Sequence, residues 1–390
     1  QGGYEGGITL IGDEAFLPYQ RPPLSKAYLS GKMERERLFL KPDNFFTENN
    51  VSLRLETRVA SIDRAGKSVV LADGETLSYD KLVFATGSRP RLLDLPGRAL
   101  GNIFDLRGMD DIDAMQPHFI AGKKLVVIGG GYIGLEAASV AAKLGLNVTL
   151  IEMGDRILQR VAATETSDYF RALHQQHGVD IREGVGLTRL TGTDHVTGAE
   201  LSDNSTLDVD FVIVGVGIAP EQELAEAAGL TLDNGIATDP YGRTSDPHIW
   251  AAGDCASFPY NDQRIRLESV PNAIEQAEVV ARNIMGEAVA YTAKPWFWSD
   301  QYDVKLQIAG LNTGYDQVVT RDSGGPVSFW YYRAGQLLAV DAANDPRAYM
   351  IGKRLIEAGK SADQTVKSLV GMQPAKRGNN GRDNNRFTVH

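Results

Sequence analysis

The chain has 390 residues, 43% of them hydrophobic and 23% charged, with a formal net charge of −10, a balance that suits a globular enzyme of two or three domains. Net acidity argues against nucleic acid as a general partner, because neutralising phosphates takes clustered Lys and Arg, and no apolar run reaches the roughly 18–20 residues of a membrane span. A single cysteine, Cys255, rules out a disulfide within the chain and suits a reducing, cytoplasmic setting.

The first element is the strand Ile8-Thr9-Leu10-Ile11, which runs into Gly12-Asp13-Glu14. A similar stretch, Val148-Thr149-Leu150-Ile151 followed by Glu152, recurs 140 residues later. Residues 51–90 and 179–220 repeat in the same way. Each begins with a short apolar strand, passes through alternating segments with a polar turn (Ala72-Asp73-Gly74 and Asp203-Asn204-Ser205), and ends in an apolar strand that meets glycine. The pattern reads as two copies of one dinucleotide-binding unit. In the second copy a glycine loop opens the unit. The corresponding loop of the first copy would fall ahead of Gln1, so one strand, one loop and one helix are expected to be missing from this chain.

That second-copy loop is Gly129-x-Gly131-x-x-Gly134. It follows a buried-type strand, Leu125 to Ile128, and opens a helix in which Ile133, Ala137, Val140, Ala141 and Leu144 recur at helical spacing, with Gly145 placed to stop it. A second strand ends at Glu152, 18 residues past Gly134. The spacing is that of a nicotinamide dinucleotide site. Gly129 allows the tight turn, Gly131 lets backbone N–H groups of the Tyr132-Ile133 turn reach the pyrophosphate, and Gly134 lets helix and strand pack closely. Glu152 can accept both adenosine ribose hydroxyls and would repel a 2′-phosphate, which favours NADH. Arg156, four residues on, could soften that preference.

Three further segments point to a flavin. Ala85-Thr86-Gly87 closes the first copy. A short strand runs through Ile249-Trp250-Ala251 to Gly253-Asp254, where a carboxylate can bind ribityl hydroxyls. Val270-Pro271-Asn272 through Gln276 opens a helix beside it. Asp13 or Glu14, placed like Glu152, would hold the adenosine ribose of FAD.

The chain resembles the NADH-dependent ferredoxin reductases of oxygenase systems. The resemblance rests on Pro18-Tyr19-Gln20-Arg21-Pro22-Pro23-Leu24-Ser25-Lys26-Ala27-Tyr28-Leu29, on Ala85-Thr86-Gly87-Ser88-Arg89-Pro90, on the glycine loop, on Gly253-Asp254, on Glu268-Ser269-Val270-Pro271-Asn272, and on Pro295-Trp296-Phe297-Trp298-Ser299-Asp300-Gln301-Tyr302. It implies an α/β fold with two Rossmann-like domains, for FAD and NAD, and a C-terminal α/β reductase domain. The implied division is an FAD domain in two parts (1–103 and 227–294), an NAD domain (104–226) and a C-terminal domain (295–372). Residues 373–390, rich in Asn, Gly and Arg, read as a disordered tail.

The resemblance further implies non-covalent FAD, NADH as donor and a [2Fe–2S] ferredoxin as acceptor. It adds Arg21, Val59 and Arg89 to the FAD site, and places Val216 and Gly217 beside the nicotinamide with Pro220 shaping that turn. Lys26 is expected near flavin N5, paired with Glu136, and Trp298 near the flavin and the electron exit. Related flavoenzymes that reduce disulfides carry a redox-active cysteine pair, and peroxidase and oxidase relatives a single redox cysteine in the early flavin-contacting segment; this chain has one cysteine in all, and Gln20 to Lys26 has none. Electrons are therefore expected to leave from the flavin directly. Competing readings are an NADH oxidase or quinone reductase, an NADH sensor like apoptosis-inducing factor, and a nonfunctional fragment. The histidines show no metal-ligand spacing, so no metal is expected.

Overall fold

The computed structural model describes residues 3–322 and 324–363, so the expected tail at 373–390 lies outside the described residues. The chain forms two compact units. One comprises the segment up to Arg91 together with Ile218–Ala293; the other comprises Leu92–Gly217 and the segment from Lys294 onward. The strand Ile103–Asp105 belongs to the second unit, because it pairs in parallel with Phe211–Val214. Ile218–Pro220 belongs to the first, because it pairs antiparallel with Ser88–Pro90. The expected divisions at 103/104 and 226/227 thus fall near, but not at, the places where the compact units part.

In the first unit, Ile8–Ile11 pairs in parallel with Val51–Arg54, and Leu82–Phe84 pairs in parallel with Ile249–Ala251. Between them lies an antiparallel three-stranded sheet of Val59–Asp63, Ser68–Leu71 and Thr76–Ser78. Its core gathers Phe84, Ile236, Ile249, Ala251, Cys255 and Ala256.

The second unit repeats the scheme. Asn147–Glu152 pairs in parallel with Asp180–Glu183, and a three-stranded antiparallel sheet follows in Leu187–Gly192, Val196–Leu201 and Thr206–Asp208. Here the central strand is present. Lys124–Ile128 lies between Asn147–Glu152 and Phe211–Val214 in a five-stranded parallel sheet. Leu125 to Ile128 and Phe211 to Val214 are buried at every position, as strands covered on both faces must be. The repeat read from sequence is therefore a structural repeat.

The C-terminal part of the second unit is a five-stranded antiparallel sheet. The helix Pro346–Glu357 packs Ala348 and Leu355 against Trp330 and Val340. Asp345 caps that helix by accepting from the Ala348 amide at 2.9 Å. The sheet's register places Asp341 opposite Ile308 and Phe329, and Asp341 is buried at 1% exposure. One of its oxygens accepts from Tyr331 Oη and from Thr166 Oγ1 at 2.9 Å; the other has no partner among the described residues. Tyr331 Oη in turn accepts from the Ala163 amide at 3.0 Å.

Burial pushes the Asp341 carboxyl up to about 6, against the downward pull of its Tyr331 and Thr166 hydrogen bonds. Between the usual carboxyl range and this raised value the folded chain binds more protons than the unfolded chain, so this site loses stability as pH rises through about 6. Asp341→Asn keeps the acceptor and removes the titration. Its stability relative to the parent should improve between about pH 5 and pH 8 by about 1.4 kcal/mol, one pKa unit's worth, read from urea midpoints at both pH values; a constant difference would exclude Asp341 as the source.

Candidate functional site: paired dinucleotide-binding cradles

The three motif glycines of the second unit's loop, Gly129, Gly134 and Gly131, differ in what a side chain would meet there. Gly129 takes φ +105°, and a Cβ there would come within 2.4 Å of the Gly215 carbonyl oxygen. At Gly134 a Cβ would lie 2.2 Å from the Gly129 carbonyl oxygen. At Gly131 a Cβ would meet nothing within 4 Å. The first two glycines are thus required by the protein's own packing, whereas the third borders open space, as a cradle for a phosphate requires. Gly131 is the N-cap of the helix Tyr132–Lys143 and offers no side-chain cap, so the first-turn amides have no capping side chain of their own.

At the other end, Gly145 takes φ +82° and the Leu146 amide bonds back to the Ala141 carbonyl at 3.1 Å, which ends the helix as expected. Ile133 departs from the expected apolar face: it is 44% exposed, because the first turn borders the loop rather than the sheet.

Glu152 stands beside this loop. Its Oε2 accepts from the Gly130 amide at 2.8 Å and its Oε1 from the Gly154 amide at 2.7 Å, so its orientation is set by backbone, with lone pairs left for ribose hydroxyls. Arg156 is turned to other work. It donates to the Ala162 and Ala163 carbonyls at 2.8 and 3.3 Å and to Ser167 Oγ, which leaves little of the guanidinium for a 2′-phosphate. Val216 and Gly217 follow the Phe211–Val214 strand, and both are half-buried.

In the first unit, the turn Gly253–Cys255 follows the strand Ile249–Ala251. Gly253 takes φ +80°, and its amide donates to Gln276 Oε1 at 2.9 Å. Gln276 is 1% exposed, yet its Nε2 is buried with no partner among the described residues. An orphaned donor of this kind is costly unless a ligand accepts from it, and a flavin carbonyl fits that need.

Around it, Ser88 Oγ donates to Asp254 Oδ2 at 3.0 Å. Ser269 caps the helix Val270–Ile284 by accepting from the Asn272 amide. Pro271 and Asn272 are buried in its first turn while Val270 is exposed. Thr86 Oγ1 donates to the Glu221 carbonyl at 2.7 Å, next to exposed Ala85 and half-buried Gly87. Arg89 pairs with Glu221 at 3.2 Å and with Glu223. Val59 is half-buried at the start of its strand.

Of the two carboxylates after the Ile8–Ile11 strand, Glu14 is the engaged one: it pairs with Arg21 and accepts from Tyr19 Oη, whereas Asp13 is exposed. Lys26 sits in the short helical turn Leu24–Tyr28. It is half-buried, and its Nζ donates to the Pro22 carbonyl at 3.3 Å.

Cys255 is fully buried, and burial pushes its thiol up, so it is a packing residue rather than a thiolate.

In the second unit Glu136, at 1% exposure, accepts from Ser299 Oγ at 2.7 Å. Trp298 packs beside Trp296, ring centroids 5.6 Å apart, and Phe297 lies 5.2 Å from the Tyr132 ring. The partners Ser88, Ser299 and Gln301 were not found from sequence, because they meet the residues they serve across gaps of more than a hundred positions.

Comparison with known proteins adds to this geometry. The pyridine nucleotide-disulphide oxidoreductase family matches residues 1–277, and the reductase C-terminal family matches residues 296–368. The chain therefore belongs to the pyridine nucleotide-disulphide oxidoreductases, in the ferredoxin reductase branch.

It is 46% identical to a ferredoxin–NAD(P)+ reductase of a Sphingomonas species, over 92% of this chain and 88% of the relative. It is 43% identical to putidaredoxin reductase of Pseudomonas putida, over 91% and 86%. Among solved structures it is similar to the covalent putidaredoxin reductase–putidaredoxin complex, with TM-score 0.90 and 41% identity over 93% of this chain and 89% of that one.

The steric split within the glycine loop can be tested. Gly131→Ala should leave thermal stability near that of the parent and weaken NADH binding at least about tenfold, a loss of about 1.4 kcal/mol. Gly134→Ala should lower the melting temperature itself. Equal melting losses in both variants would remove the distinction.

Proposed function

We infer that this protein oxidises NADH and delivers the electrons singly to a [2Fe–2S] ferredoxin, through FAD held in the first unit. The observation that carries the reading is the Gln276 and Asp254 cradle beside a lone, buried, inactive cysteine: a flavin site with no thiol relay. When bound, FAD accepts a hydride from NADH and releases its electrons one at a time.

The chain's own residues supply binding and orientation. Glu14 and Arg21 would set the adenosine end of FAD, Asp254 the ribityl hydroxyls, and the Val270–Ile284 helix start with Gln276 the pyrimidine end. The Gly129–Gly134 loop would hold the NADH pyrophosphate, with Glu152 on the ribose hydroxyls. Because Glu152 is oriented by two amides and Arg156 is engaged elsewhere, NADH is preferred over NADPH. Lys26 is assigned to orienting the flavin ring, Glu136 to the charge balance on the nicotinamide side, and Trp298 to the electron exit. The lone cysteine supports a reducing compartment, and the cytoplasm is the proposed location. Ferredoxins of oxygenase systems, whether of a P450 or a ring-hydroxylating dioxygenase, are the proposed acceptors.

Anaerobic titration of the FAD-loaded chain with NADH should bleach the flavin, and an oxidised [2Fe–2S] ferredoxin added next should be reduced rapidly. Bleaching without ferredoxin reduction would favour an oxidase or a sensor. In stopped flow, Lys26→Ala should slow flavin reduction by at least about tenfold; an unchanged rate would remove Lys26 from the mechanism.

A further inference from the structure

Within the second unit a line of buried side chains runs from Glu136 to the surface. Ser299 Oγ lies 2.7 Å from Glu136 Oε1. Gln301 Nε2 lies 3.2 Å from Ser299 Oγ. His174 Nε2 lies 2.8 Å from Gln301 Oε1, and Tyr302 Oη lies 3.2 Å from His174 Nδ1. Ser299, Gln301 and His174 are each at 0% exposure, so bulk solvent does not reach these bonds.

Counting protons gives the line a direction. Ser299 Oγ donates to Glu136 Oε1, and a hydroxyl has only one proton to give, so it is spent there. Ser299 must then accept from the Gln301 amide nitrogen, which turns the Gln301 oxygen toward His174. That oxygen requires a proton on His174 Nε2. Burial holds His174 neutral, its value lowered to about 4, so Nδ1 keeps its lone pair and accepts from Tyr302.

The outer end is built at a conformational cost. Tyr302 takes φ +55°, which is uncommon for a bulky residue and marks a functional or structural demand. It occupies the turn between Trp296–Gln301 and Val304–Gly310. The ring stacks on His177 at 3.7 Å, and Lys143 Nζ donates to the Tyr302 carbonyl at 2.6 Å. The turn is therefore clamped in the conformation that points the hydroxyl at His174.

We propose that Tyr302, His174, Gln301 and Ser299 form one polarised hydrogen-bond chain whose direction fixes the orientation of the Glu136 carboxyl. The four are positioning residues, three of them supplied by the C-terminal domain to a carboxylate of the nucleotide-binding domain. A glutamine in the line makes it a poor proton conductor, since the amide passes no proton without tautomerising, so the chain orients and does not relay. The assignment of Glu136 to the nicotinamide side rests on the proposed function; the hydrogen-bond chain itself does not.

Magnetic resonance on the FAD-loaded protein near neutral pH tests both points without turnover. Long-range ¹H–¹⁵N spectra, with His174 identified by its loss in His174→Gln, should show the neutral Nε2–H tautomer. An Nδ1–H tautomer or an imidazolium would overturn the proposal, and the tautomer itself is read on the parent protein, the variant serving only to assign the signal.

With ¹³C-labelled glutamate, the Glu136 carboxyl resonance is identified by its loss in Glu136→Gln. It should move in Ser299→Ala and return in Ser299→Thr. No movement in Ser299→Ala would also overturn it. The flavin-reduction rate of Glu136→Gln is a separate measurement: an unchanged rate would remove Glu136 from the chemistry, while the resonances alone decide whether the hydrogen-bond chain exists.

Discussion

The parallel strand Lys124–Ile128 is the constraint from which the second unit follows. Its neighbours run in the same direction, so each return passes outside the sheet, and the ends of Lys124–Ile128 and Asn147–Glu152 converge at one edge. At that edge the chain turns into a helix with no room to spare: the Gly129 carbonyl occupies the space a Gly134 side chain would need. Close backbone approach leaves amides without side-chain cover. Those amides are what a pyrophosphate binds.

Buried polar groups carry a second layer of organisation. Each unsatisfied group costs free energy, so the groups that remain unsatisfied in the protein are informative. The orphaned Gln276 nitrogen calls for an acceptor that the described residues do not provide. Elsewhere the chain provides for itself: Glu152 has its two amides, Asp254 has Ser88, and Glu136 has Ser299. In each case a neutral donor takes part in orienting the carboxyl, which restricts its rotation. Asp341 shows the opposite arrangement. It is deeply buried beside a tyrosine and a threonine, where the charged form is disfavoured, and it ties the helix that follows Ala163 to the C-terminal sheet.

The C-terminal domain does more than cover apolar surface. The strand Trp296–Gln301 alternates between two duties, as period-two geometry allows. Ser299 and Gln301 face inward to Glu136 and His174, while Trp296 and Trp298 share the other face, with Lys353 Nζ 5.0 Å from the Trp296 ring. One six-residue strand thus presents an aromatic face and a hydrogen-bonding face at once.

Much of this was legible from the residues alone. The duplication, the glycine loop, Glu152, the Gly253-Asp254 turn and the helix opened by Val270 could be read because each is local: a few neighbouring residues determine the backbone conformation and the group presented. Sequence reading could also narrow the carboxylate after the first strand to Asp13 or Glu14. Only the tertiary structure decided that Glu14 is the one met by Arg21 and Tyr19, that Arg156 is spent on its own loop, and that Ile133 is exposed.

The line from Tyr302 to Glu136 was not visible at all in one dimension. His174 and Gln301 are 127 positions apart, and His174 carries no motif. Periodicity and spacing determine which face a residue occupies, but a hydrogen bond depends on distance and direction to within a fraction of an ångström, and those are settled only when separate elements pack.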